Sequence, residues 1–508
     1  MNVTSASADE LRRSASWDVR AGPRNYFALA SSQVVSVMLA FLCTWIATRL
    51  LAAEGYGRIA AVLAGSALLN QVFVQWTSIS LSRYGCQEFV DTGGITASFQ
   101  SRMVLALPGL FIAAVTAVWW LPQLTSRLSI DRDLTLLLIV HAAAMIGWIH
   151  MQQSLQAVKL PRVQSLLLVL ERACVLLALI FMWARGGANP RFVIAAYAVA
   201  AVLASFAGLF RVRRFLRWRW EVKQELLCPM LRFSLPLLPY CMLGFLTTNY
   251  LDAFFLTRYR SLAELGVYAV TYQVVGSLIQ FTALAGSLMM PLFITLHAHD
   301  RQERIPQIFE HVLPVMSCLW SAGCAVIAMA GGVLLPLLLG FQFGATQSIL
   351  WPLMAAAALS GPWLIGYGAY ANAREVTAIP LRASLVAAAV NLGLNFLLIP
   401  GYGLGGCAWA TMIANASSVA VGMTLMHRRL PASRGQSLVA SLPCVAGAVA
   451  HELTSSSWAG VLVSLAVATL VLSARADSVR ACAAWFHQLR DNDTDHAPFR
   501  EAGVLSAP

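Results

Sequence analysis

The feature that most constrains the fold is a series of long apolar segments that recurs along nearly the whole chain. A run of about twenty apolar residues crosses the hydrocarbon core of a bilayer as one helix. The chain is 58% hydrophobic and 11% charged, whereas a soluble domain carries about 25% charged residues. A water-soluble fold could not cover this much apolar surface, so the solvent for most of the chain is lipid. We therefore predict an all-α polytopic membrane protein.

Counting the apolar runs gives about fourteen transmembrane helices. The first twelve form two sets of six, and two weaker runs follow them. In chain order the predicted spans are 25–50, 58–82, 103–121, 133–152, 163–184, 192–210, 233–256, 264–296, 309–338, 347–372, 378–400, 403–427, 436–452 and 457–474. The prediction is two pseudo-symmetric six-helix bundles followed by two C-terminal helices.

Polar stretches divide the chain into six predicted regions. They are a cytoplasmic N-terminal tail at 1–24, a first six-helix bundle at 25–210, a basic cytoplasmic linker at 211–232, a second six-helix bundle at 233–428, two additional transmembrane helices at 429–475 and a cytoplasmic C-terminal tail at 476–508. Roughly 26 of the 35 Lys and Arg fall on the side of both tails, which the positive-inside rule identifies as cytoplasmic. The net charge of +12 therefore reflects membrane orientation and does not indicate nucleic-acid binding.

A short pattern occurs twice, about 209 residues apart, each time between two long apolar segments. The first copy runs from Thr48 to Ala60 and the second from Thr257 to Ala269. The Thr-Arg pair, one glycine and the final alanine coincide when the copies are superimposed. A membrane protein made of two similar halves suggests a transporter with its pathway between them.

Charged residues within the spans or at their ends are the candidate functional residues, because a charge at the bilayer centre costs about 2.5 kcal/mol or more. They are Arg49, Arg83, Glu171, Arg172, Asp252 and Arg258. Arginines in a cavity between the halves would bind a phosphate or pyrophosphate through forked hydrogen bonds. The three arginines at span ends have a simpler interpretation, which is snorkelling to lipid headgroups. Asp252 is also compatible with an interfacial position, and the adjacent pair with structural contacts to neighbouring helices.

The ten cysteines are scattered and include no pair with metal-ligand spacing such as C-x-x-C. Most lie in apolar stretches, where a thiol packs as a small hydrophobe. We therefore predict no metal, no cofactor and no structural disulfide. The longest polar stretches are too short to fold as a soluble catalytic domain.

Four short motifs occur in order along the chain. They are Thr48–Gly57, Ser80–Tyr84, Leu251–Leu256 together with Ala263–Tyr268, and Leu398–Gly406. They resemble the first loop, the arginine ending the second span, the seventh-span signature and the eleventh-to-twelfth loop of bacterial polysaccharide flippases of the Wzx type. That family belongs to the multidrug/oligosaccharidyl-lipid/polysaccharide exporter superfamily, and the resemblance covers about residues 25 to 430.

The resemblance implies two six-helix bundles that face a central cavity and work by alternating access. It implies that an undecaprenyl-pyrophosphate-linked oligosaccharide repeat unit crosses the bacterial cytoplasmic (inner) membrane for exopolysaccharide, capsule or O-antigen synthesis. The expected partners are this glycan, the lipid bilayer, a polysaccharide polymerase with its export machinery, and H⁺ or Na⁺ as coupling ion. Many members have twelve spans and the lipid II flippases have fourteen, so the two additional helices leave the subfamily open.

Each candidate residue receives a predicted role on this basis. Both copies of the repeat lie on the outward side, which places Arg49 and Arg258 at a rim or gate. Arg83 and Arg172 are then the predicted substrate-binding residues, and Asp252 and Glu171 are the predicted gating or ion-coupling residues.

Two further function classes stay open. A multidrug or cation antiporter of the same superfamily would need carboxylates that face a cavity, and only Asp252 and Glu171 qualify. A membrane polysaccharide polymerase or lipid-linked glycosyltransferase would need a large outward loop for its catalytic site, whereas the outward loops of this chain are short.

Overall fold

The computed structural model describes most of the chain. The described residues are 21–128, 132–187, 189–217, 219–235, 237–246, 249–298, 303–374, 376, 378–428, 430 and 436–491. Throughout these residues the regular secondary structure is helical. The chain is thus an all-α polytopic membrane protein, as the apolar runs predict. Most of the predicted N-terminal tail, and the C-terminal tail beyond residue 491, lie outside the described residues.

The α-helices are numbered in chain order. They are α1 (Ala21–Phe73), α2 (Ser78–Thr92), α3 (Thr96–Leu128), α4 (Arg132–Ala157), α5 (Pro161–Ala184), α6 (Pro190–Val212), α7 (Gln224–Ser234), α8 (Leu237–Leu246), α9 (Asn249–Tyr259), α10 (Leu262–Ala298), α11 (Arg304–Gln307), α12 (Leu313–Leu339), α13 (Thr346–Pro362), α14 (Gly368–Ala373), α15 (Ala378–His427), α16 (Gln436–Ala440), α17 (Pro443–Thr454), α18 (Ser457–Ser473) and α19 (Ala476–Asp491). Short 3₁₀ or π-helical turns continue several of them.

Nine helices in the described part of the chain are long and apolar enough to cross a membrane, and a bent pair formed by α18 and the start of α19 would make a tenth. Two of the nine are interrupted by a kink. α1 breaks at Ala52 (φ 60°, ψ −178°) and α15 breaks at Gly403 (φ 56°, ψ −129°). Each of these helices therefore covers two of the predicted spans. The seventh predicted span is divided between α8 and α9, and the two residues between them lie outside the described residues.

The segment predicted as a loop at 83–102 is mostly helical. α2 continues to Thr92, Gly93 adopts a left-handed conformation (φ 74°), and α3 begins at Thr96. Left-handed glycine is a common helix terminator because it has no Cβ to clash with the backbone. Hydropathy shows where a helix leaves the apolar region, but the helix itself can continue as a polar segment. A prediction from hydropathy therefore misses polar helices. For the same reason the predicted C-terminal tail begins with a helix, α19.

The chain forms two compact units. Unit 1 consists of Met1–Val270, Pro336–Phe343 and Leu394–Leu404, and unit 2 of Thr271–Leu335, Gly344–Gly393 and Gly405–Pro508. Unit 1 thus contains the first predicted bundle, the basic linker and three short segments of the second predicted bundle. The bundle boundaries themselves stay a prediction.

The core of unit 1 packs α2, α3, α4 and α6 around large side chains of α4. Trp148 and Leu155 are fully buried there, and α6 contributes Ala198, Ala201 and Ala204. These alanines recur every third residue along one face of α6. Small residues at such spacing let two helix backbones approach closely.

The core of unit 2 is built around α13. All residues from Ile349 to Pro362 are buried, as expected for a helix that is apolar on every side. The side chain of Trp351 lies against Gly447 of α17 and Gly460 of α18, where added Cβ atoms would overlap its ring. The two C-terminal helices therefore belong to the core of this unit.

Candidate functional site

The two copies of the repeated pattern meet in the folded chain. A Cβ atom on Gly57 would overlap the carbonyl oxygen of Leu262, and a Cβ atom on Gly266 would overlap the carbonyl oxygen of Ala53. The same 209-residue shift that relates the two glycines also relates Ala53 to Leu262. The contact is therefore reciprocal, like the two-fold contact of a symmetric dimer. We call it the Gly57–Gly266 contact.

The Gly57–Gly266 contact depends on two features of the backbone. Glycine allows one helix backbone to approach another at a distance that any side chain would prevent. The kink at Ala52 (φ 60°) separates the first span from the second and turns the chain toward this contact. A non-glycine residue at positive φ costs about 1–3 kcal/mol, and such strain is concentrated at functional sites. The side-chain oxygen of Gln342 accepts a hydrogen bond from the amide of Ala53 at 3.3 Å.

Arg49 binds the C-terminal carbonyl groups of α12. Its Nε donates to the carbonyl oxygen of Leu338 at 2.6 Å, and its Nη2 donates to that of Leu337 at 2.7 Å. The indole of Trp45 also donates to Leu338 at 2.9 Å. The last carbonyl groups of a helix have no intrahelical partner and carry partial negative charge, which favours a cation. Arg49 thus fixes the end of α12 to the first copy of the repeat.

A second arginine, which the sequence did not single out, makes the corresponding contact in the second copy. Arg260 donates to the carbonyl oxygens of Ile399 at 3.3 Å and Pro400 at 3.1 Å. Its guanidinium lies beside Gly403, the kinked residue of α15. Arg258, the residue that aligns with Arg49, is exposed and lies 5.6 Å from the ring of Tyr259. The carbonyl-binding role of Arg49 is therefore matched by Arg260.

Asp252 lies in a buried polar cluster inside unit 1. It is 1% exposed, and its carboxylate accepts hydrogen bonds from the hydroxyl of Tyr268 and, at 2.8 Å, from the side-chain amide of Asn395. The structure therefore buries Asp252 within the protein. A buried carboxylate is costly unless it is hydrogen-bonded. Two of its donors are the uncharged side chains of Tyr268 and Asn395.

Arg83 lies on α2 with its guanidinium exposed between aromatic rings. It is 4.7 Å from the ring centre of Phe233 and 5.8 Å from that of Tyr84, and the two rings meet edge to face. Tyr84 is held by a hydrogen bond to the carbonyl oxygen of Pro229 at 3.3 Å. Among the described residues the Arg83 guanidinium has no hydrogen-bond acceptor and no acidic partner. It is therefore open to an anionic ligand.

Glu171 and Arg172 lie on α5, away from these contacts. Glu171 is buried and Arg172 is half-buried. The carbonyl of Arg172 accepts a weak bond from the Cys43 thiol at 3.8 Å. This bond joins α5 to α1. The structure shows no contact between Arg172 and Arg83 in the described residues.

A buried arginine in unit 1 escaped the sequence analysis. Arg102 is 2% exposed; its Nη1 lies 2.6 Å from Nδ1 of His150, and its Nη2 donates to Ser78 at 2.9 Å. Arg102 is the last residue of the loop predicted at 83–102, so hydropathy offers no reason to expect it on a helix. In the structure it lies on the second turn of α3. Its partner His150 lies on α4, within the fourth predicted span.

The overall fold is that of a family of multi-helix membrane transporters. The lipid II flippase MurJ in an inward closed conformation matches with a TM-score of 0.66 and 13% identity, over 88% of this chain and 98% of that one. An inward-facing multidrug resistance MATE family transporter of the MOP superfamily matches with a TM-score of 0.53 and 14% identity, over 80% of this chain and 98% of that one. At these identities the likeness concerns the fold alone.

The family follows from the sequence itself. Residues 23–297, more than half of the chain, match the family described as polysaccharide biosynthesis protein. The chain belongs to this family. A search of curated proteins finds no matching relative. The similar solved structures named above are a flippase and a transporter.

Proposed function

We propose that the protein flips undecaprenyl-pyrophosphate-linked oligosaccharide repeat units from the inner to the outer leaflet of the bacterial cytoplasmic membrane. Both termini would lie in the cytoplasm, as the distribution of Lys and Arg predicts. The product would feed polymerisation into exopolysaccharide, capsule or O-antigen. The family match to polysaccharide biosynthesis supports this substrate class.

The main support for the proposal is the open guanidinium of Arg83. Its guanidinium has no acceptor among the described residues and lies beside Phe233 and Tyr84. A guanidinium presents a planar fork of donors that fits two phosphate oxygens at once. The neighbouring rings offer flat apolar surface for the first sugar. By the predicted orientation Arg83 lies on the cytoplasmic side, where the repeat unit is assembled.

The Gly57–Gly266 contact supports alternating access. It lies at the ends of the spans that the charges predict to be outward, and Arg49 and Arg260 hold helix ends next to it. Together these contacts would close the outward side while Arg83 receives substrate from the inside. Asp252 and Glu171, both buried carboxylates, would couple a proton or Na⁺ to the reopening.

A drug or cation antiporter is the second candidate, favoured by the MATE-like fold. A cationic drug needs an accessible carboxylate. Asp252 is 1% exposed and is held by Tyr268 and Asn395, and Glu171 is 4% exposed. Neither carboxylate is open to an organic cation in this conformation, so a small coupling ion is the better match.

The proposal is tested by deleting the gene and analysing lipid-linked sugars. The deletion strain should lack surface polysaccharide and should accumulate undecaprenyl-pyrophosphate-linked repeat units that outside enzymes cannot reach. The plasmid-borne wild-type gene should restore both properties. Normal lipid-linked pools together with drug hypersensitivity would instead identify the antiporter. A pool of single repeat units that is accessible from outside would identify a defect in polymerisation.

The Arg49 contact predicts a smaller effect. Arg49→Ala removes two solvent-exposed hydrogen bonds to helix-end carbonyl groups, and an exposed cation at a helix C-terminus contributes about 0.3–1 kcal/mol. We expect a severalfold fall in polysaccharide output at unchanged protein abundance, measured by sugar analysis and immunoblotting.

The matched control is Arg58→Ala. Arg58 is the next arginine along the chain, and its ion pair with Glu54 at 2.9 Å is solvent-exposed. Exposed ion pairs contribute little, so the output should stay near the wild-type level. Equal losses in both variants would show that the Arg49 contact has no special role.

A further inference from the structure

We propose that unit 1 binds a membrane phospholipid with a primary-amine headgroup at a site formed by α3, α4, α6 and the basic linker. The site consists of two adjoining cavities. One is an apolar groove and the other is a polar pocket, and they share Thr96, Arg217, Arg219 and Trp220. An apolar cavity that opens into a polar one fits an amphiphile, with its chain in the first and its headgroup in the second.

The apolar groove has a volume of about 940 Å³, within the usual range of about 300–1,000 Å³ for ligand sites. Small residues that line it include Ala143, Ala144, Gly147 and Ser205. Met103 (51% exposed) and Phe206 (65% exposed) line it as well. Both side chains are apolar, belong to predicted spans and are not covered by other residues of unit 1. A flexible hydrocarbon chain is the expected occupant of such a groove.

The polar pocket, of about 790 Å³, carries charges of both signs. Its charged lining residues are Glu88, Asp91, Arg217, Arg219, Glu221, Lys223 and Glu225. The carboxylate of Glu88 is occupied by the backbone amides of Ala97 and Ser98, at 3.0 and 2.7 Å. Three carboxylates and three cations remain. A purely anionic headgroup would be repelled by the carboxylates, whereas a phosphate joined to an ammonium group has a partner for each charge.

The two arginines are held by their backbone while their side chains stay open. The amide of Arg217 donates to Thr96 at 2.7 Å. The side chain of Gln100 donates to the carbonyl of Arg219 at 2.8 Å and accepts from the amide of Glu221 at 2.7 Å. Neither guanidinium has a hydrogen bond or ion pair within the described residues. The linker is thus fixed on the first turns of α3 with two unpaired cations at the junction of the cavities.

His150 lies in the wall of the groove. It is 5% exposed. Arg102 can only donate, so Nδ1 of His150, 2.6 Å away, is the acceptor, and the ring carries its proton on Nε2. In the described part of the chain that Nε2 has no hydrogen-bond partner. Because that Nε2 is itself buried, the ring of His150 forms part of the groove wall and its donor is not open to a ligand in this conformation.

The test is lipid binding by the purified full-length protein, measured by native mass spectrometry. Phosphatidylethanolamine, phosphatidylglycerol and phosphatidylcholine with identical acyl chains are compared in equimolar mixtures. We expect phosphatidylethanolamine to be retained about tenfold better than either other lipid, because only it offers both a phosphate and a hydrogen-bonding ammonium. Equal retention, or preference for either of the others, would overturn the proposal.

The headgroup contact has a matched pair of double variants. Arg217→Ala/Arg219→Ala should weaken phosphatidylethanolamine binding about tenfold or more. Arg213→Ala/Arg214→Ala removes the same charge from the same linker, but these guanidiniums lie over Phe210 and Phe215 and line neither cavity. This control should bind like the wild type. If both double variants weakened phosphatidylethanolamine binding equally, the effect would be one of net charge and the headgroup contact would be refuted.

The chain groove is tested at Gly147 without altering any charge. An added Cβ there meets only Ser205, at 3.6 Å, so Gly147→Ala should fold and bind normally, whereas Gly147→Leu should fill the groove and lose the lipid. Unchanged binding by the leucine variant would refute the groove. Displacement of phosphatidylethanolamine by equimolar undecaprenyl phosphate would identify the substrate lipid as the true occupant. All of these experiments measure lipid binding, so their outcome does not depend on whether the protein flips glycans.

Discussion

Gly57→Ala is expected to reduce polysaccharide output by about 5- to 150-fold while leaving protein abundance unchanged. The new methyl group would overlap the carbonyl of Leu262, so the Gly57–Gly266 contact could not form. Forcing extra volume into a close contact costs about 1–3 kcal/mol, and that amount shifts a two-state equilibrium by the factor given. The shift would favour the outward-open state, which can be measured by the rate at which a cysteine at the outward helix ends reacts with a membrane-impermeant maleimide.

Two further variants make this result specific. Gly266→Ala should reproduce the effect, because its methyl group would overlap the carbonyl of Ala53. Gly401→Ala should be nearly silent, since a Cβ there meets nothing within 4 Å. If Gly57→Ala and Gly266→Ala both supported normal output, the reciprocal contact would have no role in the cycle.

Arg83→Ala should lower flipping about a hundredfold. Two forked, charge-assisted hydrogen bonds to a pyrophosphate contribute about 1.5 kcal/mol or more each, and about 3 kcal/mol corresponds to roughly two powers of ten. Arg83→Lys should recover only part of the activity, because an ammonium cannot form the planar fork. Surface polysaccharide and the accumulated lipid-linked pool report the effect in cells.

The control for Arg83 is Arg185→Ala. Arg185 also lies over an aromatic ring, that of Phe181 at 4.9 Å, but at the predicted outward end of α5. Removing it deletes one arginine–aromatic contact and the same charge, so its output should stay near that of the wild type. A comparable loss in both variants would assign the Arg83 effect to stability and not to substrate.

The repeated pattern is visible in the sequence itself. The shift of 209 residues pairs Gly57 with Gly266, and these residues touch in the fold. What the sequence could not supply was the contact itself, because periodicity reports which helices are alike and not which backbones meet. Arg260 was missed for a related reason. It lies two residues beyond Arg258, out of step with the repeat, and the geometry of the loop decides which arginine reaches the carbonyl groups.

Residues outside the apolar runs were the hardest to predict. Hydropathy treats 83–102 as a loop, so it gives no sign that Arg102 is buried against His150 of the fourth predicted span. The linker at 211–232 is basic by its sequence, but its attachment to Thr96 and Gln100 depends on single hydrogen bonds between distant segments. Single contacts of this kind produce no periodic pattern in the sequence. The roles of Arg83, Arg172, Asp252, Glu171, Arg49 and Arg258 stay predictions.

The most direct test of the central claim is transport of a fluorescent undecaprenyl-pyrophosphate-linked oligosaccharide by the purified protein in vesicles. Translocation is followed as the rate at which the glycan becomes accessible to an added glycosidase, with and without a proton or sodium gradient. We expect glycan translocation by the wild type, about a hundredfold less with Arg83→Ala and normal rates with Arg185→Ala. Absence of glycan translocation, together with gradient-driven export of a cationic dye from the same vesicles, would contradict the proposed function.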